Sequence, residues 1–171
     1  MANTFLDELV EYPVKALHSI GTDPTVVQLL TDNPNIDMES SEADKVFDEF
    51  LFDYIYVDGT TTEAAAYICV EAEVAKLPTP TMQNMKLYVT VFCHKQFMKV
   101  DATKFKGMMG NRRDNLVRYV DKLLNGSDIF GIGALTLENA HTVAAPTGFS
   151  ARELTYTVPD IRQKRVNKSA L

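Results

Sequence analysis

The sequence predicts an α+β fold in which helices pack on a mainly antiparallel sheet of about five strands, preceded by an N-terminal helical segment. Two observations lead to this prediction. Apolar residues recur at helical spacing near the N-terminus and again in residues 113–124. By contrast, residues 50–57, 84–97 and 152–158 follow the two-residue period of a β-strand.

The N-terminal region is predicted to be helical. Residues 4–20 carry apolar side chains at helical spacing, and Pro13 within them predicts either one kinked helix or two short ones. A second, short helix is predicted to follow, with Asp23 as its N-cap and Pro24 at its first position. It should end before Pro34.

The middle of the chain is predicted to form strands. Residues 35–49 are polar and acidic without a clear period, which indicates a loop or a mobile segment. Residues 50–57 and 64–77 are predicted to form a β-hairpin around the turn signal at residues 58–60. The strand at residues 84–97 carries apolar groups on both faces, so we expect a central strand covered on both sides.

The last third of the chain returns to a helix and two strands. Residues 113–124 are predicted to form an amphipathic helix, capped by Asn111 with Asp114 three residues on. Strands at residues 133–139 and 152–158 are predicted to close the domain, separated by a long loop.

These elements suggest four parts along the chain. An N-terminal helical segment occupies residues 1–34, and an acidic loop occupies residues 35–49. The α+β core domain spans residues 50–160, and a basic C-terminal tail spans residues 161–171.

Composition argues against several classes of protein. The 17 basic and 23 acidic residues give a net charge of −6, which disfavours a general nucleic-acid binder. Two cysteines provide no disulfide framework and favour a reducing compartment. The N-terminus is acidic where a signal peptide would be basic, and no apolar run approaches the roughly 20 residues of a membrane span. We therefore expect a soluble protein made in the cytoplasm, with no membrane partner.

The glycine-rich stretch NGSDIFGIG, at residues 125–133, raises the question of a phosphate-binding loop. Such loops precede a helix, whose free N–H groups bind the anion. Here the stretch follows the predicted helix, where the dipole would repel an anion. Gly126 is therefore predicted to end the helix in a left-handed conformation, and Gly131 and Gly133 to lie at the entry to a strand.

No catalytic, cofactor-binding or metal-binding residues are predicted. Cys93 and His94 are neighbours on a strand, so they point to opposite faces and do not easily share a metal. Glu71 and Glu73 share a strand face and are predicted to form its solvated side. We therefore expect that the protein is not an enzyme and holds no cofactor and no metal.

The charged segments are predicted to form subunit interfaces. Seven basic residues between Lys95 and Arg118 are interleaved with Met and Phe, a mixture that suits a protein interface, while contact with DNA or a solvated loop remain alternatives. The acidic segment would complement them on a neighbouring copy. The predicted interface residues are Lys104, Phe105, Lys106, Met108, Met109, Arg112 and Arg113 in the loop, Glu42, Asp44, Asp48 and Glu49 in the acidic segment, and Arg162, Lys164 and Arg165 in the tail. Reversing the charges of Arg112 and Arg113 is expected to impair assembly while the monomer stays folded.

Three segments carry a family resemblance. They are KLYVTVFCHKQFMK, NRRDNLVRYVDKLLNGSDIFGIGALTLENA and GFSARELTYTVPDI, in this order. Together they span roughly residues 84–160, and this part of the chain resembles small tailed-phage proteins of the head–tail joining region. Gly is usual in that group at the position of Ala151.

The resemblance implies a virion protein of the phage neck, either a tail terminator or a related head–tail connector, made in the host cytoplasm. Such proteins are non-catalytic α+β domains that form rings, typically hexamers, around the DNA channel. The implied partners are copies of itself, tail-tube and possibly sheath proteins, and head–tail connector proteins, with DNA touched only non-specifically. The alternatives are another virion component, such as a tube or adaptor protein, and a soluble enzyme or ligand-binding domain.

The resemblance also implies roles for the charged residues. Lys104, Lys106, Arg112 and Arg113 would bind a neighbouring subunit or face the channel. The tail from Arg162 would reach an adjacent ring.

Overall fold

A computed structural model describes residues 7–75, 82–130 and 133–161 of the chain. Its helices are α1 (Asp7–Gly21), α2 (Pro24–Thr31), α3 (Ser41–Asp44), α4 (Val46–Glu49) and α5 (Arg112–Leu124), and a 3-10 turn spans Lys95–Phe97. Its strands are β1 (Leu51–Phe52), β2 (Ala66–Val74), β3 (Met82–His94), β4 (Thr136–Val143) and β5 (Phe149–Ile161). They form one sheet in the order β1-β2-β3-β5-β4, in which only the β1–β2 pair is parallel. The predicted α+β fold with a mainly antiparallel five-stranded sheet is confirmed.

The two N-terminal helices follow the predicted pattern. Helix α1 is a single helix that contains the buried Pro13. The side chain of Asp23 caps α2 by accepting the N–H groups of Thr25 and Val26 at 3.0 and 2.9 Å. Helix α2 ends at Thr31, and its C-cap, Asp32, adopts a left-handed φ of 54°.

The main hydrophobic core lies between the helices and one face of the sheet. Alternate side chains of β2, β3 and β5 point to this face and meet the apolar sides of α1, α2 and α5. The strand residues include Ile68, Val70, Leu87, Val89, Val91, Leu154 and Tyr156, and the helix residues include Ala16, Ile20, Val27, Leu30, Leu116 and Val120. Burying each large aliphatic side chain stabilises the fold by about 1.5–3 kcal/mol. Helices α1 and α2 thus belong to the same packed unit as the sheet.

The opposite face of the sheet is covered at one end only. A smaller cluster there contains Val57, Ala65, Tyr67, Cys69, Phe92, Phe149 and Ala151. Farther along this face, Glu71 and Glu73 are exposed, as predicted, and Tyr88 is half-buried. The two-sided coverage predicted for the central strand is therefore found only near Phe92.

The hairpin predicted between residues 50–57 and 64–77 is wrong. Strand β1 is only two residues long and runs parallel to β2, with Leu51 opposite Ile68. Parallel neighbours cannot be joined by a tight turn, so residues 53–65 cross over as a loop. Within this loop the carboxylate of Asp58 accepts two backbone N–H groups, at the site of the predicted turn signal.

The acidic segment at residues 35–49, predicted to be a loop, contains the short helices α3 and α4. Ser40 caps α3 by accepting the N–H of Ala43 at 3.3 Å. Ala43 and Val46 are buried against the main core. Ile36 is buried in the same core, and Met38 packs against it. These few apolar contacts order a segment whose other residues are mostly polar, a pattern too sparse to show a helical period.

Strands β4 and β5 form a longer hairpin than the sequence predicts. Their pairing continues to Val143 opposite Ala151, so residues 144–148 connect them in place of the long loop predicted at residues 140–151. Most side chains of β4 are exposed. Residues 140–143 therefore lack the apolar alternation from which a half-buried strand is predicted. Helix α5 begins as predicted, with Asn111 accepting the N–H of Asp114 at 2.8 Å.

The stretch at residues 125–133 ends a helix, as predicted. Gly126 has a φ of 85°, and its N–H donates to the carbonyl of Leu135 at 2.7 Å. Gly131, predicted to enter the next strand, lies outside the described residues.

Replacing Gly126 with Ala should lower the free energy of unfolding by about 1–2 kcal/mol, because an L-residue is strained in the left-handed region. Gly59→Ala is the matched control: neither site has an atom within 4 Å of the added Cβ, and only Gly126 has a positive φ. Gly59→Ala should therefore change stability by less than about 0.5 kcal/mol. Urea unfolding measures both values, and equal losses would contradict this role of Gly126.

Candidate interaction surfaces

Arg112 is buried inside the monomer, so its predicted contact with a neighbouring copy is wrong. Its side chain is 2% exposed. The guanidinium donates to the carbonyls of Phe97 and Leu29 and to the carboxylate of Asp32, at 2.9, 2.5 and 2.5 Å. It also stacks on the Phe97 ring, 3.9 Å from the ring centroid. Arg112 thus joins the end of α2, the 3-10 turn and the start of α5.

Asp32 also pairs with a second cation, from the loop between the 3-10 turn and α5. Lys104 donates to its other carboxylate oxygen at 2.9 Å. Partial burial alone would raise the pKa of Asp32, but the hydrogen bonds from Lys104 and Arg112 outweigh that effect and lower it. Asp32 therefore stays ionised at neutral pH and holds both basic side chains against α2.

Two apolar residues of the loop also point inward. Phe105 is buried in the main core, so its predicted place at a subunit interface is wrong. Met108 is half-buried against the same core. The loop turns back into the fold at these side chains, and this leaves only part of it facing solvent.

Arg113 is also engaged within the chain. It donates to the hydroxyl of Ser150 on β5 at 2.6 Å and to the carboxylate of Asp114 at 2.9 Å. Arg152 lies 3.4 Å from the same carboxylate. With Arg112 buried and Arg113 hydrogen-bonded to β5, reversing both charges would remove contacts within the monomer as well as any contact between copies.

The tip of the loop between the 3-10 turn and α5, residues 106–109, is largely exposed, although Met108 packs inward. Lys106 is exposed, and Met109 is 86% exposed, an unusual degree for a large apolar side chain. Lys104 is exposed as well, although it is paired with Asp32. The loop tip therefore presents one positive charge beside one apolar side chain.

The four acidic residues predicted at an interface are all exposed, but they fall into two pairs. Glu42 and Asp44 lie on α3, and we call them the α3 pair. Asp48 and Glu49 lie on α4 and line a cleft beside aromatic side chains. The predicted basic residues of the tail, Arg162, Lys164 and Arg165, lie outside the described residues.

An aromatic groove, which the sequence reading missed, lies beside β1. It consists of two adjacent clefts of about 410 and 310 Å³ that share Tyr56 and Glu63. The larger cleft is also lined by Asp48, Glu49, Phe50 and Phe52, and the smaller by Asp58, Thr60, Thr61, Thr62 and Tyr67. The signal for it was present in the sequence, because residues 50–56 hold four aromatic residues at alternate positions.

The groove wall is a stack of rings. Phe52 and Tyr56 are parallel, with centroids 4.0 Å apart, and Tyr67 lies 5.2 Å from Tyr56. The hydroxyl of Tyr67 donates to Glu63 at 3.2 Å. Burial and this nearby carboxylate raise the pKa of Tyr67, so the phenol stays neutral. The wall is therefore a preformed aromatic surface with a carboxylate at its edge.

Both cysteines are buried, and burial raises the pKa of each thiol to about 11. Both thiols therefore remain protonated at neutral pH and are weak nucleophiles. In the ranges that the structure describes, no group of His, Cys, Asp and Glu side chains could hold a metal ion. None of the helices in those ranges is long and apolar enough to span a membrane.

The fold and these surfaces define an α+β protein built on one five-stranded sheet, with charged and aromatic surfaces outside its core. A family model matches residues 23–158, and the chain belongs to the YomW family. The family name is typical of proteins from Bacillus phage regions, which indicates a phage-associated protein. No curated protein matches the chain.

Replacing Arg112 with Ala should lower the free energy of unfolding by about 3 kcal/mol, because buried carbonyl acceptors and Asp32 lose their donor. Lys95→Ala, at an exposed position of the 3-10 turn, is the control and should change stability by less than about 0.5 kcal/mol. Chemical denaturation followed by circular dichroism measures both variants. Equal stability of Arg112→Ala and wild type would contradict the internal role of Arg112.

Asp32 should contribute to stability in a pH-dependent way. Its pKa in the folded protein lies below the ordinary value of 3.8, so its contribution is present in full above that value and is lost as pH falls through the lower folded pKa. The stability difference between wild type and Asp32→Asn should therefore be constant from about pH 5 to pH 7 and shrink below about pH 4. Urea unfolding from pH 3 to pH 7 tests this, and a difference that grows as the pH falls would refute it.

Proposed function

We propose that this protein is a structural component of the phage neck. In this proposal, copies of the chain form a ring around the DNA channel that terminates the tail tube and joins it to the head connector. Membership of a phage-associated family supports the setting. The resemblance of residues 84–160 to head–tail joining proteins supports the particular place in the particle.

The observation that carries the proposal is the presence of two unlike exposed surfaces. The loop tip is basic and apolar, through Lys106 and Met109, whereas the α3 pair, Glu42 and Asp44, is acidic. A contact between the loop tip of one copy and the α3 pair of the next is heterologous, and such contacts close into a ring when the rotation between copies permits. Opposite charges on the two surfaces favour this register over a contact between like surfaces.

A third surface suits contact with other virion proteins. Val10 and Val14, one turn apart on α1, are 68% and 53% exposed. Ile129 is 47% exposed, and Lys15 of α1 donates to its carbonyl at 2.9 Å, which brings Ile129 beside the helix. In the proposed ring this apolar strip is available to tail-tube or connector proteins.

A charge exchange tests the ring contact. Lys106→Glu should weaken association between copies about tenfold, since a favourable charge contact becomes a repulsion of roughly 1.4 kcal/mol. The double variant Glu42→Lys with Asp44→Lys should weaken it similarly, and combining all three changes should restore most of the affinity. Lys122→Glu, an exposed position on α5, is the control and should have no effect. Sedimentation velocity measures the association, and a wild-type chain that stays monomeric at about 100 µM would contradict the ring.

Labelling the assembled phage tests the position in the particle. Antibodies raised against the folded chain should mark the junction between head and tail in electron micrographs of intact particles. Labelling of the capsid surface or the distal tail tip alone would place the protein elsewhere in the virion. Absence from purified particles would refute a structural role.

A further inference from the structure

The aromatic groove has the chemistry of a site for basic side chains. Tyr56 is 37% exposed and stacks on the half-buried Phe52, so the groove offers an aromatic ring to guanidinium and ammonium groups, which bind electron-rich ring faces. Four carboxylates line it, and none of the residues that line it in the described part of the chain carries a positive charge. They are Asp48, Glu49, Asp58 and Glu63. Arginine in particular pairs with carboxylates while its plane stacks on an aromatic ring.

The carboxylates are held at the groove by different elements. Asp48 and Glu49 lie on α4, and Glu63 is hydrogen-bonded to Tyr67. Asp58 is fixed by Thr60, whose hydroxyl donates to it at 2.7 Å and whose N–H donates at the same distance. Acidic groups thus line both clefts along their length, which suits a segment with several cations better than a single cation.

The chain itself carries such a segment. Four cations and no acidic residue occur within residues 162–168, directly after β5. They are Arg162, Lys164, Arg165 and Lys168. The charge of this segment complements the groove.

The basic segment cannot reach the groove of its own copy. Ala151 of β5 lies level with Tyr67, two strands away. Ten residues of strand separate Ala151 from Ile161, a distance of about 33 Å at roughly 3.3 Å per residue. Beyond Ile161, the four residues to Arg165 span at most about 14 Å, and the seven to Lys168 about 25 Å. A segment that fills the groove must therefore come from a second copy.

We propose that the aromatic groove of one copy binds residues 162–168 of another copy. The arginines stack on the groove wall and pair with Glu49 and Glu63, and the contact runs from the far end of one sheet to the β1 edge of the next. This contact rests on the proposed function in one respect only, because both require several copies of the chain to come together. It uses neither the loop tip nor the α3 pair, so the two contacts can fail separately.

Isotope-mixed cross-linking of the full chain tests the proposal. Equal amounts of ¹⁴N- and ¹⁵N-labelled protein are mixed, and a carbodiimide joins amines to carboxylates that lie in contact. We expect links from Lys164 or Lys168 to Glu49 or Glu63. Because the two labelled forms pair at random, half of these links should join a ¹⁴N-labelled copy to a ¹⁵N-labelled copy. Links of uniform isotope only, or links from these lysines to other carboxylates only, would overturn the proposal.

Matched variants separate binding from cross-linking chemistry. Arg162→Gln with Arg165→Gln keeps both lysines and all groove carboxylates, yet should reduce the links at least about tenfold. Tyr56→Leu, which removes a ring of the groove wall, should reduce them similarly, whereas Tyr54→Leu should not, because Tyr54 is exposed but does not line the groove. Equal losses for Tyr56→Leu and Tyr54→Leu would overturn the assignment to the groove.

A peptide of residues 162–171 distinguishes this proposal from the ring. Added to the wild-type chain under the same carbodiimide, it should become linked to Glu49 or Glu63 and suppress the links between copies. If Lys106→Glu leaves the association between copies unchanged and the peptide links to these residues, the groove assignment holds and the loop-tip contact of the ring is wrong. If rings form but the peptide neither links nor competes, the ring holds and the groove assignment is wrong.

Discussion

The buried Arg112 is the interaction on which the arrangement of the helical layer depends. Its guanidinium spans three elements that lie far apart in the chain, through the carbonyl of Leu29, the ring of Phe97 and the carboxylate of Asp32. A buried charge is tolerated only when its donors are satisfied, so α2, the 3-10 turn and α5 must keep their relative positions. The basic loop is thereby held at both of its ends, and its tip projects from a fixed base.

The position of the aromatic groove follows from the unequal covering of the two faces of the sheet. Helices cover one face along the main core, while the other face is covered only by the small cluster around Tyr67. Because β1 is two residues long and parallel to β2, the crossover at residues 53–65 must pass beside this cluster. Tyr56 on that crossover stacks on Phe52 and completes the aromatic groove. The groove thus follows from the topology of the first strand pair.

The fold places some charged side chains inside the monomer and leaves others on separate surfaces, which suits contacts between copies. Of the basic loop, Arg112 and Arg113 serve the monomer, and Lys106 remains on the surface. The acidic residues divide between α3 and the groove. The proposed ring contact and the proposed tail contact therefore use different residues, and an acidic chain can still present two distinct sites for cations.

The sequence by itself determined the elements whose signals are local: the cap of α2 at Asp23, the stripe of α5, the end of that helix at Gly126 and the antiparallel sheet. The first three depend on neighbours within a few residues, and the sheet was predicted from the two-residue period that single strands show. Only the tertiary structure decided that Arg112 is internal, since its partners Leu29 and Asp32 lie 83 and 80 positions away. The same holds for β1, because its parallel pairing depends on a distant strand. The sequence around an arginine does not show whether its side chain is exposed or buried. Its burial depends on the distant segments that pack around it.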